Sequence, residues 1–306
     1  MRFFRKTNID FMGKRHLWYT VSGIVILVGM ISFFVKGPHY GIDFLGGTEI
    51  VVTFQDAVPI STVRAAMDKI GIGKTAEIMT FGSDKDILIR TSTQGEGSSI
   101  GDLIRGGLKQ EFPSNPFVVQ KEDKIGPKIG AELRLNAIYA VFALLIAIMV
   151  YIGFRFKFVY GIGAVASLFH DVLVTLGLVS LFDGVLNLEL SQNMVAAFLT
   201  LVGLSVNDTV VIFDRIRENQ KIFRNMDLIT VINKSLNETL SRTIITSGTV
   251  FTVLLVLFFF GGEVNRGFSF TLLIGITTGT YSSIYIASAI VVEWALRINR
   301  KAAQHK

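Results

Sequence analysis

The sequence predicts a polytopic α-helical membrane protein: six transmembrane helices plus one α+β ferredoxin-like extracytoplasmic domain. Three observations predict it. Charged residues make up 18% of the 306-residue chain, against about 25% in a soluble domain, and they cluster, leaving long stretches almost free of charge. Six of those stretches are long enough to cross a hydrocarbon core of ~30 Å, which takes roughly 20 apolar residues in a helix. Between the first and second lies a segment, residues 37–133, with the composition of a soluble domain.

After a cytoplasmic N-terminus (1–16), the first span covers residues 17–35, between Lys14, Arg15 and His16 on one side and Lys36 on the other. Its apolar run is too long for a signal-peptide core and no Ala-x-Ala site follows, so it reads as an uncleaved anchor. In the polar segment, 48–54 (TEIVVTF) reads as a strand, 59–70 as a helix with Pro59 in its first turn, and 77–81 and 86–90 as two strands around a Gly-Ser-Asp turn. Residues 92–99 read as a loop, 100–112 as a second helix despite Gly106 and Gly107, and 117–120 as the last strand. The order βαββαβ is ferredoxin-like. The remaining spans fall at 134–154, 159–182, 193–213, 244–261 and 268–296, with a cytoplasmic basic loop at 214–243 and a cytoplasmic tail at 297–306. Part of that loop, 227–239, has the pattern of an amphipathic helix.

Lysine and arginine placement sets the orientation. Arg2, Arg5, Lys6, Lys14 and Arg15 precede the first span. Arg155 and Lys157 follow the second, Arg215, Arg217, Lys221, Arg224, Lys234 and Arg242 follow the fourth, and Arg297, Arg300, Lys301 and Lys306 end the chain. On the other side, residues 183–192 hold no basic residue and 261–267 only Arg266. Both termini are therefore expected in the cytoplasm and residues 37–133 outside, in a multi-pass protein of the inner (plasma) membrane. The net charge of +6 follows from this topology in a lipid bilayer and calls for no nucleic acid.

Little enzyme chemistry is available. The chain has no cysteine, and His16, His39, His170 and His305 lack metal-ligand spacing. No G-x-x-x-x-G-K-[ST] loop and no nucleophile–base set appears, so no cofactor, metal or catalytic role is expected. What stands out instead is polarity inside the spans, where ionisable groups are costly and therefore functional candidates. Span four holds Ser205, Asn207 and Asp208; span three holds His170 and Asp171, with Ser167, Asp171 and Thr175 on one face. Glu238, Arg242, Thr246 and Thr249 form a stripe into span five, and Arg242 enters at a depth its long side chain can match to Asp208. Span six is rich in hydroxyls and carries Gly275-x-x-x-Gly279, a spacing that permits close helix packing. The proton-coupling candidates are Asp208, Arg242, Thr246, Asn207, Asp171 and His170. The alternative is structural: Asp208 simply paired with Arg242, and His170–Asp171 a buried pair.

Several motifs run through nearly the whole chain. They are Gly41-Ile-Asp-Phe-Leu-Gly-Gly-Thr48, Gly126-Pro127 with Gly130-Ala-Glu-Leu-Arg134, His170-Asp171-Val172, the run from Gly203 to Asn219 (GLSVNDTVVIFDRIREN), Ser235 to Thr243 (SLNETLSRT) and Gly279-Thr-Tyr-Ser-Ser283. Together they resemble the SecD/SecF family of protein-export membrane proteins, of the resistance-nodulation-division type. The small external domain and the VNDTVVIFDRIREN string are similar to its SecF side. The chain departs from the family pattern at Ala289, where Pro is frequent. The resemblance implies a partner, SecD, with which the chain would assist preproteins through the SecYEG translocon using the proton motive force. It also implies that the carboxylate matching Asp208 serves proton coupling, with Arg242 and Thr246 as polar neighbours. A small-molecule efflux transporter would need a much larger external region. A passive assembly scaffold would tolerate replacement of Asp208.

Overall fold

The computed structural model describes residues 7–92, 100–156 and 158–304. The predicted loop at 92–99 lies outside them from residue 93 onward, as do Arg2, Arg5, Lys6, Lys157 and Lys306. In chain order the elements are α1 (Arg15–Lys36), α2 (Ile42–Leu45), β1 (Gly47–Phe54), α3 (Ile60–Lys69), β2 (Ala76–Phe81), β3 (Ser83–Thr91), α4 (Ile100–Glu111), β4 (Phe117–Ile125), α5 (Pro127–Arg155), α6 (Phe158–Leu186), α7 (Gln192–Ile222), α8 (Leu228–Phe260), α9 (Gly262–Ser282) and α10 (Ser288–Gln304). A π-helical turn, Ser283–Ala287, joins the last two. Among the described residues six segments are long and apolar enough to cross a membrane: Met12–Lys36, which contains α1, then α5, α6, α7, α8 and the composite Val264–Ile298. The chain divides into two compact units. One is the helical bundle; the other is Tyr40–Tyr139 together with Glu189–Gln192.

In the second unit the strands form one sheet in the order β2-β3-β1-β4, every neighbouring pair antiparallel. With α3 and α4 this is the split βαββαβ arrangement that the element order predicts. Strand alternation puts Ile50, Val52 and Phe54 on one face, where they meet Val63 and Met67 of α3 and Ile104 and Leu108 of α4, each helical pair four residues apart. Two features differ from expectation. The strand predicted at 117–120 extends to Ile125, because Lys121 pairs with Glu49 of β1 at 3.1 Å and the charged stretch stays in the ladder. A short helix, α2, precedes β1 and ends at Gly46, whose φ of 77° suits glycine; a Cβ there would also sit 2.8 Å from Pro127.

The bundle is centred on α6, α7 and α9, with Leu168, Leu201, Phe213 and Leu272 in its core. The predicted basic loop at 214–243 is corrected: it is a helical hairpin. α7 runs on to Ile222, residues 223–227 turn, and the helix predicted at 227–239 is the start of α8, continuous with the fifth span. Hydropathy cannot see this extension because its stabilisation is polar. Asp227 caps α8 by accepting the Thr230 amide at 3.0 Å. Asn219 donates to Ser235 at 2.9 Å and Arg215 to Glu238 at 2.7 Å across the hairpin. Asn233 and Asn237, one turn apart, bond the backbone of Ile9, Phe11 and Met12 and hold the N-terminal segment on α8. In the sixth span the π turn ends two residues before Ala289, which is fully buried in α10.

α1 reaches α6 through paired glycines. A Cβ on Gly29 would fall 2.5 Å from Gly177 Cα, and Ser32 meets Ser180 at 3.2 Å one turn away. Gly177→Ile is expected to separate the two helices. In the naturally cysteine-free chain, a Ser32→Cys, Ser180→Cys pair should form a disulfide that Gly177→Ile suppresses. Unchanged cross-linking would show that this crossing does not depend on the glycines.

Candidate functional site

The polar centre of the bundle is built around Asp171, which is fully buried on α6. Its neighbour His170 approaches Asp171 Oδ1 through Nδ1 at 2.9 Å. Ser205 of α7 and Ser282 of α9 donate to Asp171 Oδ2 at 2.6 and 2.8 Å. On the far side of the imidazole, Nε2 meets the Tyr281 hydroxyl at 2.8 Å, and that hydroxyl meets Ser22 of α1 at 3.2 Å. One connected set of hydrogen bonds therefore ties four spans to one carboxylate.

Small residues let the helices come this close. A Cβ on Gly275 would lie 1.6 Å from Leu201 Cδ1, and one on Gly279 would lie 3.1 Å from Ser205 Cβ. The predicted Gly275-x-x-x-Gly279 stripe thus faces α7. One turn further on, Thr209 and Ser283 hydroxyls meet at 2.8 Å. The stripe Ser167, Asp171, Thr175 is fully buried, as its spacing suggests.

The chain of bonds can be satisfied in two ways. With Asp171 ionised, His170 Nδ1–H donates to it and Nε2 accepts from Tyr281. With Asp171 protonated, the carboxyl donates to Nδ1, Nε2–H donates to Tyr281, and Tyr281 donates to Ser22. Every heavy atom stays in place while the polarity of the set reverses, because imidazole and hydroxyl groups each donate and accept.

Asp208 lies on α7 one turn from Ser205 and is 9% exposed. The Ser247 hydroxyl of α8 donates to its Oδ2 at 3.1 Å. Arg242 forms no ion pair with it within 4.0 Å; its side chain, like those of Asn207 and Thr246, is exposed in the single chain. Thr246 and Thr249 turn back to their own helix, donating to the Arg242 and Thr246 carbonyls at 2.8 Å each. Of the six sequence candidates, His170 and Asp171 are thus brought together, Asp208 stands on a second partner set on which the Arg242 charge acts without an ion pair, and Asn207 and Thr246 lie outside both. Sequence reading missed Ser247, Tyr281 and Ser22. The stripe chosen on α8 was one residue out of register: Thr243 and Ser247, four apart, are the pair turned inward. A shift of one residue rotates a helical position by about 100°.

Comparison with known proteins bears on this arrangement. The family described as "Protein export membrane protein SecD/SecF, C-terminal" matches residues 108–297, and the "SecD/SecF GG Motif" matches residues 31–58. The protein translocase subunit SecF of Rhodothermus marinus is 44% identical over 299 residues, covering 97% of this chain and 96% of the relative. That of Pseudomonas aeruginosa is 37% identical over 286 residues, covering 93% of this chain and 91% of the relative. Among solved structures, the translocon-associated membrane protein SecDF of Thermus thermophilus superposes with a TM-score of 0.83 at 37% identity over 94% of this chain. A SecDF structure in a super-membrane-facing form gives 0.73 at 35% identity over 99%. This chain spans 39% and 41% of those two solved chains.

Proposed function

The chain belongs to the SecD/SecF family of protein-export membrane proteins, and on that premise we propose that it is the SecF-type half of a proton-driven export unit. In this reading it sits in the inner membrane with both termini in the cytoplasm, pairs with SecD, and assists preprotein translocation through SecYEG using the proton motive force. The observation that carries the reading is the pair of carboxylates, Asp171 and Asp208, enclosed in adjacent spans of a bundle whose chain continues into a folded α+β unit. Carboxylates that deep are costly when ionised, so their protonation changes helix packing. The one-sided placement of basic loops supports the orientation.

The cycle needs no hydrolytic step. Ionised Asp208 draws donors such as Ser247 and a hydrated surround; protonated Asp208 loses much of that attraction and allows closer packing. Arg242 and Thr246 belong to the same polar stretch of α8 and become partners when a facing subunit or a rotation of α8 closes the gap. His170 and Tyr281 give Asp171 a route for a proton along bonds already made. Moving one charge across 100 mV supplies about 2.3 kcal/mol, enough to redistribute two bundle arrangements. Membranes depleted of the chain test the reading. They should translocate preprotein at the ordinary rate without a gradient and gain nothing when one is imposed, and resupplying the chain should restore the gain. A full gradient response in depleted membranes would refute it.

A further inference from the structure

Two hydroxyls inside the bundle are buried and unused. Thr175 of α6 and Thr271 of α9 are both fully buried, and neither Oγ1 has a hydrogen-bond partner among the described residues. Threonines elsewhere in the spans behave differently. Thr200, Thr252 and Thr277 each return the hydroxyl to a carbonyl four residues back, at 2.8 Å. Thr175 and Thr271 leave that ready acceptor unused. A hydroxyl cut off from its own helix and from bulk solvent is costly, and in a folded protein such a group marks the place of an ordered water.

Both threonines lie on one seam, between α6, α7 and α9. On α9 every fourth residue faces α7: Gly267 meets Met194, Gly275 meets Leu201, Gly279 meets Ser205 and Ser283 meets Thr209. Thr271 falls on that stripe, between Gly267 and Gly275. On α6, Thr175 follows Asp171 by four residues, on the face where Ser205 of α7 and Ser282 of α9 reach the carboxylate. α6 and α9 run antiparallel, with Asp171 against Ser282 and Phe182 against Phe270, so both threonines lie on the same side of Asp171. That is the side on which α6 ends and α9 begins, external in the reading above. Thr175 is one turn, about 6 Å, from Asp171, and Thr271 is two turns, about 12 Å, from Gly279. One water between two oxygens spans about 5.6 Å, two hydrogen bonds end to end, which matches a station at every turn.

One apolar side chain interrupts this row. Leu201 is 1% exposed and packs onto Gly275, where a Cβ would lie 1.6 Å from its Cδ1. On α7 it stands one turn from Ser205, between the level of Thr271 and that of Asp171.

We propose that Thr271 and Thr175 hold waters that carry protons from the outer side of the bundle to Asp171, with Leu201 as the apolar barrier that closes the row. Each hydroxyl takes a proton from the water outside it and gives its own inward, so a proton entering at Thr271 delivers one to Asp171 and leaves both threonines unchanged. From Asp171 the bonds to His170, Tyr281 and Ser22 are already made. Thr175, Thr271 and Leu201 are positioning residues, and the proposal rests on the proton-coupled reading above.

The test uses membrane vesicles carrying the full complex, with a pH-sensitive dye reporting proton entry beside preprotein translocation. Valine has the shape of threonine without the hydroxyl, so a merely structural position tolerates it and gains from losing an unpaired group. The row predicts otherwise. Thr175→Val and Thr271→Val should each cut the gradient-dependent gain in translocation about five-fold or more, while Thr175→Ser and Thr271→Ser keep it, at matched amounts of complex. Leu201→Ser should raise proton entry in the absence of preprotein, and Thr175→Val added to it should return entry to the unmodified level. Full gain in both valine variants overturns the proposal. So does a Leu201→Ser leak that Thr175→Val leaves unchanged, or no leak at all. Asp208→Asn run in parallel keeps the two claims apart: full gain there refutes the proton-coupled reading, while the leak, which needs no preprotein, still decides the row.

Discussion

Asp171→Leu is expected to destabilise the bundle by roughly 2 kcal/mol, while Asp171→Asn stays close to the unmodified chain. The carboxylate accepts from Ser205 and Ser282 and meets His170, all within the buried centre of the bundle. Interhelical hydrogen bonds in membrane proteins average about 0.6 kcal/mol each; the two from Ser205 and Ser282, together with a buried His170 nitrogen left without its partner, give the estimate. Leucine has the same number of side-chain heavy atoms but leaves His170, Ser205 and Ser282 facing an apolar group; replacing one member of a polar set costs more than replacing all of it. Asparagine can keep its oxygen at the Oδ2 position, where it accepts from both hydroxyls, and turn its amide to His170 Nδ1, which then accepts. Reversible unfolding in mixed micelles reads the difference. If the leucine variant matched the unmodified chain, the polar centre would not be what ties α6, α7 and α9 together.

Asp208→Asn is expected to leave assembly unchanged and to remove the response to a proton gradient. Ionised carboxylate inside a span costs about 2.5–3.5 kcal/mol on insertion scales, so the role proposed for the residue is titration and not packing. The amide has the same shape, and its oxygen still accepts from Ser247. What it loses is titration. Asp208→Glu keeps a titrating group one methylene further out and should retain part of the response. Arg242 acts on Asp208 through space, with no ion pair between them, so the expected loss does not require a salt bridge to break.

The spans were legible because about 20 apolar residues in a row have few other uses. The sheet was legible because Ile50, Val52 and Phe54 alternate and the Gly-Ser-Asp turn separates β2 from β3. Asp171 and Asp208 were legible as charges where charges are expensive. The remainder depends on contacts between residues far apart in sequence. The hairpin between the fourth and fifth spans is held by Asn219, Ser235, Arg215 and Glu238, none of which reads as helical on hydropathy. Ser247 was hidden because Thr246 fits a hydroxyl stripe equally well one residue away. Tyr281 and Ser22 meet only once Gly29 and Gly177 bring α1 against α6. The contacts of the link Glu189–Gln192 were hidden because the partners of Gln192 and Glu189, Asp43 and Arg90, lie about 150 and 100 residues earlier, and the four-residue link carries no pattern of its own.

The central claim is that a proton acting at Asp208 drives the export function. Its most direct test is preprotein translocation in membrane vesicles, with and without an imposed proton gradient, comparing the unmodified chain with Asp208→Asn at matched amounts of assembled complex. The account predicts that both translocate alike without the gradient, and that only the unmodified chain speeds up when the gradient is present. Normal gradient-dependent stimulation with Asn at position 208 would contradict it, leaving Asp208 a structural residue and moving the proton to Asp171.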